Sequence, residues 1–287
     1  MKYRFIKAHQ SVYSVVRMCR LLRVSRSGYY DWRQRRPSQR AESNWRLVGE
    51  IQRLHLESYR TYGSPRVTVA LRRKGIICGE NRVARLMRLH EIVAKTKRRF
   101  KATTNSRHHY PVAPNLLLEG YSLGAVNQIW VADITYIWTA EGWLYLAAIL
   151  DLYSRRIVGW SLKERLTQEL VLAAWEQACG RRQPPQGLIH HSDQGGQYAC
   201  EQLHDSLIAA GCQISMSRRA NCYDNAYMES FFSSLKRELI YHERFLTREE
   251  AKRRTFEYIE IFYNRNRLHS SLGYQTPVDF EQEHNNP

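Results

Sequence analysis

At 287 residues, with a hydrophobic fraction of 43% and seven tryptophans, the chain is long enough for two or three small domains with proper cores. The central apolar run Leu144 to Leu150 is far too short to cross a bilayer, and no apolar stretch follows the charged N-terminus, so neither a membrane span nor a secretory signal is read and a cytosolic protein is expected. The net charge of +17 is uneven: residues 1–110 hold 27 Lys and Arg against 6 Asp and Glu, whereas residues 111–287 hold 17 against 21. A basic half joined to a mildly acidic half suggests an anionic polymer held by one part and processed by the other. A basic membrane-surface helix would need flanking Trp or Phe on an apolar face, which is not seen, so nucleic acid is the favoured partner.

In the basic half, Val12 to Leu22 reads as a short helix with Arg17, Arg20 and Arg23 outward, and Ser25 as the N-cap of a second one. Helix, tight turn and helix give a weak helix-turn-helix outline. Arg33 to Arg40, with Pro37 and Ser38, reads as a linker. A second helical pair is better defined. Ser64 reads as a cap with Pro65 at the first helical position, and the helix runs to Arg73 before Gly75 breaks it. Gly79 or Asn81 opens the next helix, with Val83, Leu86, Met87 and Leu89 inside and Arg82, Arg85 and Arg88 outside. Arginines at three-residue intervals suit phosphate contacts, although a solvated helix face has the same pattern. Lys95 to Lys101, including Arg98 and Arg99, is a dense basic run leading through Arg107-His-His-Tyr-Pro into an extended linker.

From Gln128 the pattern changes. Gln128 to Trp138, Trp143 to Leu150 and Arg156 to Leu162 are rich in β-branched and aromatic residues and are separated by turns, as in a meander. Thr167 to Cys179 reads as a helix, Leu188 to His191 as a strand, Glu201 to Ala210 as a helix and Gln213 to Met216 as a last strand. Asn221 to Leu239 follows as a helix with Asp224 or Asn225 as its cap. Met228, Phe231, Leu235 and Leu239 form its apolar stripe, and Asn225, Glu229, Ser233 and Lys236 a polar one. The order βββαβαβα implies an α/β fold with a mixed sheet and flanking helices.

Asp133 falls mid-strand, where a charge needs a compensating partner, and Asp193 falls just past a strand end beside Gly195 and Gly196. Carboxylates gathered at one sheet edge repel one another, and divalent metals are their natural compensation. Asp151 reads as turn chemistry. His190 and His191 stand beside an oxygen-preferring site and read as packing or supporting groups. Six cysteines without a Cys-x-x-Cys pair read as reduced thiols and not as a zinc site.

The set Trp130-Val-Ala-Asp133-Ile-Thr-Tyr, His190-His-Ser-Asp193-Gln-Gly and Asn225-Ala-Tyr-Met-Glu229-Ser-Phe-Phe resembles the DDE triad of transposases and retroviral integrases. Asp193 and Glu229 are separated by thirty-five residues, as in that superfamily, and Lys236 falls seven after Glu229 where the superfamily carries Lys or Arg. The tail Tyr263-Asn264-x-x-Arg267-x-His269-Ser-Ser-Leu272 narrows the resemblance to the second-frame protein of the two-frame insertion-sequence transposases, family three.

The resemblance implies a ribonuclease-H-like core with a mixed five-stranded sheet, in which Asp133, Asp193 and Glu229 hold two Mg²⁺ (or Mn²⁺) ions. The implied activity is cleavage at transposon ends and strand transfer, by in-line phosphoryl transfer. Lys236, Arg82, Arg85, Arg88, Arg98, Arg99 and Arg267 are the expected DNA contacts. The implied partners are double-stranded DNA of the transposon ends and target, a first-frame protein or a fusion with it, and further copies of the chain, in the bacterial cytoplasm at the nucleoid. The divisions expected are a basic helical region (1–60), a helix-turn-helix-like domain (61–100), a basic linker (101–125), the catalytic core (126–240) and a C-terminal helical extension (241–287). A nuclease of the same fold that only hydrolyses, and a non-catalytic DNA-binding derivative, are the alternatives.

Deleting residues 1–100 is expected to weaken DNA binding and to flatten its dependence on salt, because counterion release scales with the phosphates neutralised. Titrations of labelled duplex at several salt concentrations check this, and an unchanged slope would place binding in the acidic half.

Overall fold

The computed structural model describes residues 1–95, 113–117, 123–217 and 225–284. The chain divides into two compact units, Met1–Ile51 and Gln52–Pro287. The first begins with α1 (Lys2–His9), α2 (Val15–Leu21) and α3 (Arg26–Gln34). The helix expected from Val12 opens three residues later, and Ser25 caps α3 by accepting from the Gly28 N–H at 3.0 Å. Ile6, Met18, Cys19 and Tyr29 form a small core of their own.

Helix α4 (Gln39–Glu57) begins inside the stretch read as a linker and runs past Ile51. Its inner residues Leu47, Val48, Ile51 and Leu54 are interrupted by exposed Trp45 and Leu56, which blurs the helical stripe in sequence. The second unit continues with α5 (Ser64–Arg73) and α6 (Glu80–Leu89). Gly63, and not Ser64, is the N-cap of α5, while Gly79 caps α6.

Five strands follow: β1 (Ile129–Thr139), β2 (Gly142–Asp151), β3 (Ile157–Lys163), β4 (Ile189–Ser192) and β5 (Gln213–Met216), in spatial order β3-β2-β1-β4-β5. The first three form an antiparallel meander, whereas β4 runs parallel to β1 and β5 parallel to β4. With α7 (Gln168–Arg182), α8 (Glu201–Ala209) and α9 (Ala226–Glu238), this is the mixed five-stranded sheet of a ribonuclease-H-like core. Trp130, Ala132, Ala147, Ile149 and Val158 from the sheet pack with Leu170, Ala174, Trp175 and Ala178 of α7. Gly159 permits that approach: a Cβ there would fall 2.3 Å from the Ala174 carbonyl oxygen.

Asp151, at the end of β2, is fully buried and accepts from the backbone N–H groups of Asn127 (2.6 Å), Tyr153 (3.1 Å) and Ser154 (2.9 Å). That is the turn chemistry its position suggests. Residues 221–224, and with them Asp224, lie outside the described residues.

The C-terminal segment has α10 (Arg248–Phe256) passing directly into a π-helical stretch, Glu257–Tyr263, and later α11 (Pro277–His284). Its motif residues are explained by packing. The Asn264 amide accepts from the Ile157 N–H at 2.9 Å and donates to the Ile157 carbonyl at 3.0 Å, so it completes the edge of β3 as a further strand would. Tyr263 meets Phe231 of α9 edge-on, with ring centroids 4.8 Å apart.

The expectation that Arg267 contacts DNA is corrected. Its guanidinium is buried and donates to the Glu238 carboxylate at 2.8 and 2.9 Å and to the Ser234 hydroxyl at 3.2 Å. The Tyr258 hydroxyl donates to the same carboxylate at 2.7 Å. A paired, desolvated guanidinium is not free to meet a phosphate; here it fastens the C-terminal segment to α9.

Replacing Arg267 with Ala leaves Glu238 buried without its partner, and a loss of about 3–5 kcal/mol of stability is expected. Urea unfolding measures it. The pair Arg267→Met with Glu238→Gln should recover much of the loss, since the buried carboxylate is removed with its guanidinium and Arg66, 4.0 Å from Glu238, keeps part of its side chain in solvent.

Candidate active site

Each of the three acids is delivered by a different element. Strand β4 pairs with β1 only from Ile129 to Val131, and its partner at the next step is missing. At that point the Asn225 side chain, at the N-cap position of α9, donates through Nδ2 to the Ala132 carbonyl at 3.3 Å. The start of α9 is thereby tied to β1 one residue before Asp133. Asp133 itself is paired on its other side with Ala148 of β2, is half-buried, and accepts from the Ile134 N–H at 2.7 Å.

Asp193 follows the last residue of β4 and accepts from the Gly195 N–H at 2.9 Å. A Cβ on Gly195 would stand 2.9 Å from the same carboxylate oxygen, so the turn that presents Asp193 needs glycine at this place. Gln194 donates to the Ser217 carbonyl at 2.9 Å and holds the loop against the end of β5. Glu229 lies exposed in the first turn of α9, where the helix N-terminus favours a carboxylate. The expected apolar stripe of that helix, Met228, Phe231, Leu235 and Leu239, is buried throughout.

The electrostatics join these groups. Burial, then the Asp193 charge, and to a smaller extent that of Glu229, push the Asp133 carboxyl up to about 8; the Ile134 N–H and Lys236 act against the rise. Lys236 is held below its ordinary value by burial, opposed by Asp133, and its Nζ lies 5.0 Å from the centre of the Tyr136 ring. Among the described residues no three acidic, histidine or cysteine side chains converge closely enough to ligate one ion as they stand. The three candidates nevertheless offer carboxylate oxygen only, which fits a hard divalent cation and not zinc.

The histidines are packing groups. His190 is buried against Trp175, and burial pushes its imidazole down to about 3; His191 Nδ1 shares a 2.8 Å hydrogen bond with the Ser215 hydroxyl. Tyr198 is a neighbour that no sequence signal singled out. It is buried, and burial together with the charges of Asp133 and Asp193 raises its phenol well above the ordinary value. Its position five residues after Asp193 in the chain says nothing about this, since a loop and the start of α8 bring it back.

Of the expected DNA contacts, Arg85 and Arg88 are exposed on α6 and Arg82 is half-buried. Arg98 and Arg99 lie outside the described residues. The cysteines 19, 78, 179, 200 and 212 are free thiols, and among the described residues no helix is long and apolar enough to cross a membrane.

Family models match three segments: an HTH-like domain over residues 42–100 and an integrase core domain over 124–222 and again, in a second form, over 210–277. A 31 kDa protein of insertion element IS600 from Shigella sonnei is 49% identical over 267 residues, 93% of this chain and 98% of that one. The transposase InsF for insertion sequence IS3A of Escherichia coli K12 is 42% identical over 285 residues, 99% of each chain. Among solved structures, a chain of the simian T-cell lymphotropic virus intasome in complex with the PP2A regulatory subunit B56 gamma aligns with a TM-score of 0.48 at 16% identity, over 83% of this chain and 75% of that one.

Asp133 keeps a proton in the folded chain that the unfolded chain releases near 3.8, so the stability from this site is full below that pH and declines as pH rises towards about 8. In EDTA, Asp133→Asn is expected to remove this decline and to melt higher than the parent at the alkaline end. Added Mg²⁺ should raise the parent's melting temperature there and leave the variant's nearly unchanged. Parallel pH profiles for the two proteins would contradict it.

Proposed function

This chain belongs to the transposases of the IS3 insertion-sequence family, and from that footing we propose that it cleaves and joins DNA strands at transposon ends with Asp133, Asp193 and Glu229 as its catalytic acids. The assignment is supported by the placement of Asp133 on β1, Asp193 just past β4 and Glu229 in the first turn of α9, whose Asn225 is tied to the Ala132 carbonyl at 3.3 Å, together with the action of the latter two charges on the Asp133 carboxyl. Structural carboxylates in a protein interior are paired with cations or hydrogen-bond donors, as Asp151 is with three backbone N–H groups. Asp133 instead has the charges of two further acids, Asp193 and Glu229, acting on it.

In this reading Asp133, Asp193 and Glu229 would hold divalent metal, Mg²⁺ or Mn²⁺, as two ions. Such ions, when bound, sharpen the attacking oxygen and stabilise the leaving one. The chain's own part is geometric. Asp133 is fixed by β2 and by its bond from Ile134, Asp193 by the Gly195 turn, and Glu229 by the Asn225 tie and the buried face of α9. Lys236, two turns along α9 from Glu229 and within electrostatic reach of Asp133, would hold a phosphate beside the reacting one.

Two in-line displacements follow. In the first, water adds to a phosphodiester at the transposon end, and the P–O3′ bond breaks to leave a 3′-hydroxyl. In the second, that hydroxyl attacks another phosphodiester, so that one P–O bond forms as another breaks. The exposed Arg85 and Arg88, with Arg82, would track the DNA backbone, and the basic run carrying Arg98 and Arg99 would add to it. A first-frame protein, or fusion with one, and assembly of several copies on DNA belong to the same proposal.

The test is Glu229→Gln. Incubated with Mg²⁺ and labelled terminal-repeat DNA, with and without the first-frame protein, it is expected to lose both cleavage and joining while binding DNA within a few-fold of the parent. Retained cleavage would remove Glu229 from the site. Cleavage without joining by the parent chain under every condition would reduce the activity to hydrolysis.

A further inference from the structure

The β1–β2 hairpin carries an aromatic surface that nothing in the core requires. Residue pairs Ala132–Ile149, Ile134–Ala147, Tyr136–Tyr145 and Trp138–Trp143 face each other across the two strands, so these side chains share one face. Near the middle of the sheet that face is closed by α7, and Ala132, Ile134, Ala147 and Ile149 join its core. Towards the hairpin end it is open. Tyr136, Trp138 and Trp143 are 46%, 58% and 44% exposed.

The rings are mutually ordered. Trp138 and Trp143 meet at 4.7 Å between centroids and Tyr136 and Trp143 at 5.1 Å, both edge to face. Cations flank the group: Lys236 Nζ over the Tyr136 ring, and Lys163 opposite Tyr145 on β3. The nearby acids Glu141 and Glu164 are engaged by Arg248, through its N–H at 2.7 Å and its guanidinium at 2.8 Å. A third acid, the exposed Glu169, lies near Lys163, so the cation in contact with the rings themselves is Lys236. Tyr136 leaves the opposite face of β1 from Asp133, three residues away, and the two are joined round the strand edge that β4 leaves unpaired after Val131 by Lys236, which lies over the Tyr136 ring and acts on the Asp133 carboxyl.

We propose that this surface is a stacking site for unpaired bases of the DNA strand end whose phosphodiester lies at the three acids. The proposal rests on the transposase reading and adds to it the form in which DNA is held. Bases of any identity can stack on exposed rings, and a phosphate between adjacent nucleotides would find Lys236 at the inner margin and Lys163 at the outer one. A second copy of the chain is the competing occupant. It is disfavoured because Lys236 lies over the Tyr136 ring, a complement to a polyanion and not to an identical surface, which would bring two such cations together.

The experiment uses the full chain in EDTA, so that no strand is cut, and two probes: a blunt duplex and the same duplex with a short single-stranded 3′ tail containing 2-aminopurine. Binding to the tailed probe should quench the 2-aminopurine fluorescence. Trp138→Ala should abolish that quenching and weaken tailed-probe binding about tenfold, with blunt-duplex binding changed by less than about twofold. Trp138→Tyr should keep most of the quenching and serves as the check that the fold survives. Equal weakening on both probes, or no change on either, would overturn the proposal. So would a dimer that Trp138→Ala converts to monomer with tail binding intact, which would assign the face to a second copy. Because binding is read without metal, failure here leaves the Glu229→Gln result untouched, and retained cleavage in that variant would leave this result standing.

Discussion

Like charges resist being brought together, and in this protein a half-buried Asp133 feels the charges of Asp193 and of the exposed Glu229. Asp133 comes from the middle of the central strand, Asp193 from the end of a parallel neighbour, and Glu229 from a helix that crosses the sheet edge where that neighbour stops. None of these elements would choose this arrangement for the sake of the carboxylates: burial first, and then the charge of Asp193, raises the Asp133 carboxyl. The energy that opposes it comes from apolar burial elsewhere, chiefly the face shared by the sheet and α7 and the buried stripe of α9.

The helix that carries Glu229 has two anchorages. At its start, the Asn225 amide takes the place of a strand partner at Ala132. At its end, Glu238 is gripped by Arg267 and Tyr258 from the C-terminal segment, and Phe231 in between meets Tyr263. The C-terminal motif is thus a clamp on the active helix and on the edge of β3, where Asn264 completes the ladder. A buried ion pair adds little net stability beyond what a well-packed apolar pair would, but it tolerates only one geometry and so fixes the end of α9.

Much of this was legible in the chain. The β-branched and aromatic runs from Gln128 to Leu162 have the period and turn punctuation of a meander, and the observed strands follow those limits closely. The buried stripe of α9 was legible for the same reason: a 3.6-residue period survives any tertiary setting. Helix α4 was not legible, because exposed Trp45 and Leu56 scatter apolar residues around it. Arg267 was misassigned because a sequence shows that an arginine recurs in a motif but not whether its charge is spent inside. Only the neighbouring Glu238, twenty-nine residues earlier, decides that.

By itself, the sequence determined the order of elements and the split between a basic half and an acidic one, since periodicity, residue type and charge are local properties. The tertiary structure decided which groups meet. It put Asn225 against Ala132, Arg267 inside against Glu238, and Tyr198 beside two acids, and it left the aromatic end of the β1–β2 hairpin uncovered. Those outcomes depend on where strands stop and helices cross, and hence on long-range packing that no window of the chain contains.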